Sequence, residues 1–260
     1  VLSSARLTPP GFLIPPVPVL VSVLRYALYF APSENHPLSK AASAWLGRDA
    51  FGNSTSATPA VAGISEDDVH ALTADPRRYG FHATLKAPFA LADSKSEAEL
   101  LAAIEAFAAE TTVFDIPRLV LGQLGRFFAL VPATVYPELQ QFAGSVVETF
   151  EPFRAPLSEA DIARRKPDSL DEAHRDNLLR WGYPYVFDQF RFHMTLTAQV
   201  PPEQSPAMKA ELENRLAAFT DRPLTIDALA LFVEPERGAD FTVYRRFALQ
   251  PASDQRKTAP

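Results

Sequence analysis

The sequence predicts an α+β protein made of two duplicated lobes. The lobes are related by a pseudo-two-fold axis, with antiparallel sheets facing a central cleft and helices outside. Two observations predict it. Phe81-His82-Ala83-Thr84-Leu85-Lys86-Ala87 and Phe192-His193-Met194-Thr195-Leu196-Thr197-Ala198 share the frame Phe-His-x-Thr-Leu-x-Ala, with their histidines 111 positions apart. The flanking segments also repeat. Leu24 to Pro32 resembles Arg126 to Pro132, and Ala98-Glu99-Leu100 with Ala106-Phe107 returns as Ala210-Glu211-Leu212 with Ala218-Phe219, offset by 112. Each half reads strand, helix, His-x-Thr strand, helix, strand, strand, a period far too long for a solenoid.

The elements follow from local chemistry. Residues 1–23 carry Pro9, Pro10, Pro15, Pro16 and Pro18, which break any helix, so this stretch is expected to be a disordered extension. Its apolar part lacks the flanks of a secretory signal, which leaves the cytoplasm as the expected location. Leu24 to Phe30 is aromatic and apolar enough for a strand, ended by Pro32. Leu38 to Leu46 reads as a helix and Gly47 to Gly63 as loop. Ser65-Glu66-Asp67-Asp68 has the form of a helix start, and Asp75-Pro76 is expected to stop that helix. The first His-x-Thr strand follows, closed by Pro88. Ser96 to Glu110 shows an apolar stripe of Leu100, Leu101, Ile104 and Phe107 at helical spacing. Strands are predicted at Thr112 to Ile116, Arg118 to Leu121 and Arg126 to Val131, and a helix over Pro137 to Phe150. Ser158 to Arg180 is highly charged and reads as a solvated helical insert, with a lid over the cleft as the sharper alternative. After the second motif come a helix over Pro206 to Phe219 and strands at Leu224 to Val233 and Phe241 to Leu249. Residues 24–250 thus form one bilobal domain with lobes intertwined in sequence, and 251–260 a polar, disordered tail.

Composition narrows the function. A chain of 260 residues, 47% hydrophobic with 19 Phe, buries a sizeable core. A net charge of -6 argues against an extended nucleic-acid partner, whose footprint is normally basic. There is no Cys, so disulfides and thiolate metal sites are excluded. No 18-residue apolar run predicts a membrane span.

On a strand, residues two apart share a face. His82 and Thr84 therefore point one way, as do His193 and Thr195, while Phe81 and Phe192 point into the opposite, apolar layer. Two such strands facing each other place an acid and a base around one substrate, with hydroxyls to hold phosphate oxygens. These four residues are the predicted catalytic set. Lys86 continues the first face if the strand stays regular, and Arg191 and Thr197 flank the second. Lys86 and Arg191 are candidate phosphate ligands, each weighed against an ordinary solvated or ion-paired role. Tyr79, Tyr185, Tyr183 and Trp181 are candidate cleft walls, and Arg245 or Arg246 a further cation. His36, His70 and His174 lie outside any repeated frame and read as surface residues. No Gly-rich phosphate loop or zinc-protease motif is present, and two histidines without acidic partners predict neither a metal nor a cofactor.

These motifs resemble the 2H phosphoesterase superfamily, which is defined by paired His-x-Thr/Ser motifs on duplicated lobes. Arg77-Arg78-Tyr79-Gly80-Phe81-His82-Ala83-Thr84-Leu85-Lys86 is similar to its phosphonate-metabolism branch, encoded beside carbon–phosphorus lyase components. So are Arg180-Trp181-Gly182-Tyr183-Pro184-Tyr185-Val186 and the opening Arg25-Tyr26-Ala27-Leu28-Tyr29-Phe30-Ala31-Pro32. The resemblance covers Leu24 to about Gln250. It implies metal-independent cleavage of a small, often cyclic, phosphodiester, in phosphonate breakdown. RNA-end processing by a 2′,3′-cyclic phosphodiesterase or ligase-like activity, and a non-catalytic module that binds a phosphate ligand, are the alternatives.

Overall fold

The computed structural model describes residues 24–251. The expectations for residues 1–23 and for the tail from 252 onward lie outside the described residues. Among the described residues, eight strands form one sheet: β1 (Arg25–Phe30), β2 (Ala83–Phe89), β3 (Phe114–Leu124), β4 (Phe127–Pro132), β5 (Met194–Thr195), β6 (Arg222–Ile226), β7 (Ala228–Glu234) and β8 (Thr242–Ala248). Their spatial order is β6-β3-β4-β5-β2-β1-β7-β8, and every neighbouring pair is antiparallel.

That order is symmetric about the β5–β2 seam. Exchanging β5 with β2, β4 with β1, β3 with β7 and β6 with β8 reproduces it. Each lobe borrows from the other copy: β7 and β8, from the end of the chain, complete the half that begins with β1 and β2. The two half-sheets are continuous through β2 and β5, because pairing these strands satisfies backbone groups that two separate sheets would leave open at their edges. The sheet is also curled. Only Asp227 separates β6 from β7, yet six strand spacings lie between them in the order. On a flat sheet that is roughly 29 Å, against about 7 Å that two residue steps can span. Leu249 N–H donates to Asp227 O, and Val113 N–H to Gln250 O, at the point where the ends meet.

Helices α1 (Pro37–Leu46), α4 (Glu97–Glu110), α5 (Pro137–Phe150) and α8 (Ser205–Leu216) bury apolar faces in the main core. α4 is opened by a reciprocal capping box between Ser96 and Glu99. Phe81 and Phe192 lie in this core, as the alternation predicts. A smaller cluster of Ala27, Tyr29, Ala31, Ala50, Ala230, Phe232 and Phe241 covers the opposite face of β1 and β7.

Several boundaries differ from the sequence reading. α2 (Glu66–Leu72), capped by Ser65, is followed at once by α3 (Ala74–Tyr79). Pro76 sits in the first turn of α3, where its missing N–H has no helical partner to lose, so Asp75-Pro76 does not end helical structure. β2 runs on through Pro88 to Phe89. Pro117 does not split β3: a register shift between Ile116 and Leu119 absorbs it. Leu224 to Val233 is two strands, since the chain passes from one end of the sheet to the other at Asp227. The charged insert forms α6 (Glu159–Arg164) and α7 (Glu172–Trp181). No helix among the described residues is long and apolar enough to cross a membrane.

Candidate active site at the β2–β5 seam

One residue pair joins the lobes: Ala83 on β2 faces Met194 on β5. Both are fully buried toward the helices. In antiparallel register, the residue before one faces the residue after the other. His82 therefore stands across from Thr195, and Thr84 across from His193, all four on the side away from the helices. The duplication thus sets each lobe's histidine across the seam from the other lobe's threonine.

Both imidazoles are held the same way. His82 Nδ1 lies 2.8 Å from Gly80 O, and His193 Nδ1 lies 2.6 Å from Arg191 O. A carbonyl only accepts, so each neutral ring carries its proton on Nδ1 and leaves Nε2 as a base. The Gly80 carbonyl is aimed by a backbone with φ +74°, and a Cβ there would sit 2.4 Å from the Ala50 Cβ, so only glycine fits. Thr84 Oγ1 is 3.2 Å from His82 Nε2. Thr195 lines the cleft, and its hydroxyl has no hydrogen-bond partner among the described residues.

The two environments are unequal. The strand neighbour of Thr84 is Tyr29, whereas that of Thr195 is Ala129. The first lobe therefore has an aromatic floor. The Tyr29 ring stacks on His82 at 3.9 Å, and Tyr79 and Phe232 approach it at 5.9 Å. His193 meets one ring, Phe127, at 5.8 Å. Burial, with a smaller contribution from the His193 charge, lowers the His82 pKa to about 4, against the Gly80 hydrogen bond. Burial also lowers that of His193.

The shift at His82 has a consequence for stability. Its folded pKa lies below the ordinary 6.5, so the unfolded chain binds this proton more readily. The contribution is fully present above about pH 6.5 and is lost as pH falls toward 4, by roughly 3 kcal/mol. Urea unfolding at pH 7 and pH 4 is expected to show wild type losing more than His82→Gln by about that amount. Equal losses would mean that His82 titrates normally.

The cleft, about 360 Å³, is lined by Tyr29, Tyr79, Tyr183, Phe127, Arg165 and both threonines. Tyr79 is where the sequence placed it. Tyr185 is not: it stands 46% exposed behind Tyr183, edge-on to that ring, and Tyr183 forms the wall. Trp181 packs edge-on against Phe187. Lys86 is a correction. Tyr29 pairs with Thr84 but Leu28 with Lys86, so a bulge at Leu85 breaks the alternation and sends Lys86 to the helix side. There its Nζ is 2.7 Å from Glu151 Oε2 and 3.2 Å from Val147 O, 3% exposed. Arg191 is a second correction: its guanidinium folds back onto the carbonyls of Asp188 and Phe190 and does not line the cleft. Thr197 does line it, but its hydroxyl is engaged with Phe128 N–H and Ala198 O. Arg245 pairs with Glu105, and Arg246 with Asp227 and Ala31 O. His36 caps α1 by accepting the Leu38 N–H, and His174 pairs with Asp171.

Tyr29 and Arg165 are among the lining residues that the sequence did not single out. Tyr29 sat in an apolar strand whose register with β2 no local signal gives. Its hydroxyl has no partner among the described residues, and burial holds its pKa well above the usual phenol value. Arg165 lay in the charged run that reads first as a solvated insert and only in its alternative as a lid over the cleft. Its guanidinium has no ion-pair partner among the described residues and covers the Tyr183 ring at 5.1 Å.

A curled antiparallel sheet with a duplicated His-x-Thr frame at its seam is the architecture that the 2H phosphoesterase resemblance implies. The chain belongs to the family described as Protein of unknown function (DUF1045), whose model matches residues 84–242. It is 37% identical over 246 residues to the "Ribose 1,5-bisphosphate phosphokinase PhnN" of Janthinobacterium sp. (strain Marseille), covering 92% of this chain and 54% of that protein. It is 37% identical over 224 residues to the protein of the same name from Laribacter hongkongensis (strain HLHK9), covering 85% and 51%. The chain therefore spans about half the length of these curated relatives. Among solved structures it is similar to E. coli LigT complexed with NADP+, at 15% identity and TM-score 0.38 over 88% of this chain and 99% of that one. It is also similar to TT0787 of Thermus thermophilus, at 15% and 0.42 over 87% and 98%. Superpositions at that level add nothing to what the strand order and the motifs already show.

Proposed function

We propose that the protein is a metal-independent phosphodiesterase that opens a small cyclic phosphate by two-histidine acid–base catalysis. The observation that supports this reading is the antiparallel register about Ala83 and Met194, with His82, Thr84 and Thr195 lining the cleft and His193 beside the lining ring of Phe127. Opening a cyclic diester forms one P–O bond to water and breaks one to the sugar oxygen. A base must take the proton of water, and an acid must give one to the leaving oxygen. His82, enclosed by three aromatic rings, favours the neutral state and suits the base through Nε2. His193, less enclosed, suits the acid. Thr195 and Thr84 donate to the non-bridging oxygens, with Thr84 turning away from His82 Nε2, and the Tyr29 hydroxyl lies at the floor of the same cleft. The proton that His193 donates is favoured by the substrate's own negative charge, which raises the pKa of a nearby imidazole.

The relatives named for a phosphorylated ribose favour a sugar ring as the substrate and a role in phosphonate breakdown. The kinase in that name is not what this site suits. The chain has no Gly-x-x-x-x-Gly-Lys-Ser/Thr loop, and its paired histidines serve hydrolysis rather than phosphoryl transfer.

The test is turnover by protein stripped with chelator. The panel holds ribose 1,2-cyclic phosphates, nucleoside 2′,3′-cyclic phosphates and ADP-ribose 1″,2″-cyclic phosphate. Chelator-resistant opening of at least one sugar cyclic phosphate is expected. Failure on every member would overturn the reading.

A further inference from the structure

A second cavity of about 360 Å³ adjoins the cleft and shares Tyr79, Pro88 and Arg165 with it. Its other walls carry Arg25, Arg78, Arg154, Arg164 and Arg237, against two lining carboxylates, Asp161 and Glu234. Six guanidinium groups face two lining carboxylates, with Glu151 behind Arg154 as a third, which leaves a cationic excess on a chain whose net charge is -6. Such a concentration is not accounted for by folding alone, because like charges gathered around one cavity repel.

The arginines are also held in place. Glu234 is fully buried and receives both Arg25 and Arg78, the latter at 2.9 Å. Asp161 receives Arg164 at 2.6 Å and Arg237 at 2.7 Å. Arg154 is fixed by Glu151 and by the carbonyls of Ala155 and Arg180. Glu234 and Asp161 each orient two forks and neutralise only one, so the remaining donors are preorganised for an anion that brings its own acceptors. Arg165 stands between the cavities with no ion-pair partner among the described residues.

We propose that this cavity binds a phosphate monoester on the far end of the substrate, so that the preferred substrate is a sugar cyclic phosphate carrying a second, dianionic phosphate. The proposal rests on the phosphodiesterase reading for what happens at the histidines, but the cavity's ligand is its own claim. A dianion answers the charge excess better than a carboxylate does, and planar guanidinium forks match its oxygens. The insert that supplies Arg164 and Arg165 thereby becomes the wall that measures the substrate's length.

Two measurements test this, one independent of turnover. In the first, kcat/KM is compared for ribose 1,2-cyclic phosphate with and without a 5-phosphate, in wild type and in Arg164→Gln/Arg237→Gln. Wild type is expected to prefer the 5-phosphorylated member by roughly 10–100-fold, the worth of one or two charged hydrogen bonds. The double variant is expected to bring that ratio near one, through KM rather than kcat. Equal losses on both members would overturn the proposal. In the second, ribose 5-phosphate and ribose are titrated calorimetrically into both proteins, with thermal melts confirming that the variant folds. Ribose 5-phosphate is expected to bind wild type at least about 10-fold more tightly than the variant, and ribose to bind neither. If wild type turns over no cyclic phosphate, the two-histidine reading fails while the titration still decides the cavity. Equal affinity of both proteins for ribose 5-phosphate overturns the cavity even when turnover is intact.

Discussion

His82→Ala and His193→Ala are each expected to lower kcat/KM for the best cyclic phosphate by about 10²–10⁴-fold, with KM little changed. The double variant is expected to fall little further than either single one, because an acid and a base acting in one transition state fail together. The pH profile gives a sharper test. Both imidazoles titrate below the ordinary 6.5, His82 near 4, because burial disfavours their charged forms. The proposed mechanism needs one neutral and one protonated ring. The singly protonated pair is most abundant between its two apparent pKa values, so kcat/KM is expected to be bell-shaped with its maximum on the acid side of 6.5. The kcat profile should lie at higher pH, since bound phosphodiester favours the protonated ring. A single variant that keeps wild-type turnover would mean the two strands do not share a site.

Glu151→Ala is expected to destabilise the protein by about 3–5 kcal/mol, whereas Lys86→Met costs little or stabilises it. The reason is the bulge at Leu85. It places an ammonium group under α5, 3% exposed, with Glu151 as its carboxylate partner. Burial lowers the Lys86 pKa, and Glu151 opposes that. Removing the glutamate leaves a buried cation unpaired and also frees Arg154, which shares it. Replacing the lysine with Met removes the desolvation cost along with the charge, and puts an adaptable apolar side chain where the ammonium lies 5.9 Å from the Phe89 ring centroid. Lys86→Met is therefore expected to keep the KM for cyclic phosphate within about 2-fold, an RT-sized change. A large rise in KM would place Lys86 back in the cleft. Urea titrations and steady-state kinetics on both variants separate these outcomes.

The contrast between Lys86 and His82 shows how far strand alternation carries. His82, Ala83 and Thr84 obey period two, and so do His193, Met194 and Thr195, so the facing of each motif follows from the order of its residues. Two positions later the rule fails, because a bulge is set by how β1 pairs with β2. Arg191 fails for a related reason. The chain enters β5 through a 3-10 turn at Phe187–Gln189, and the strand proper is only two residues long, so no regular face extends back to it. Tyr185 and Tyr183 are two apart in an extended link, and nothing local says which of them meets the cleft.

The repeated Phe-His-x-Thr-Leu-x-Ala frame was sufficient to predict the α+β class with its duplication and to single out the four residues proposed for the centre. Those depend on residue order and on the two-residue period of a strand. The exchange of strands between lobes, the curl forced at Asp227, the Tyr29 floor that makes the histidines unequal and the arginine cavity beside them came only with the tertiary structure. Each of these depends on which distant segments become neighbours. That is settled by sheet register and by the burial of whole faces, where a single residue's shift turns a ligand into a core ion pair.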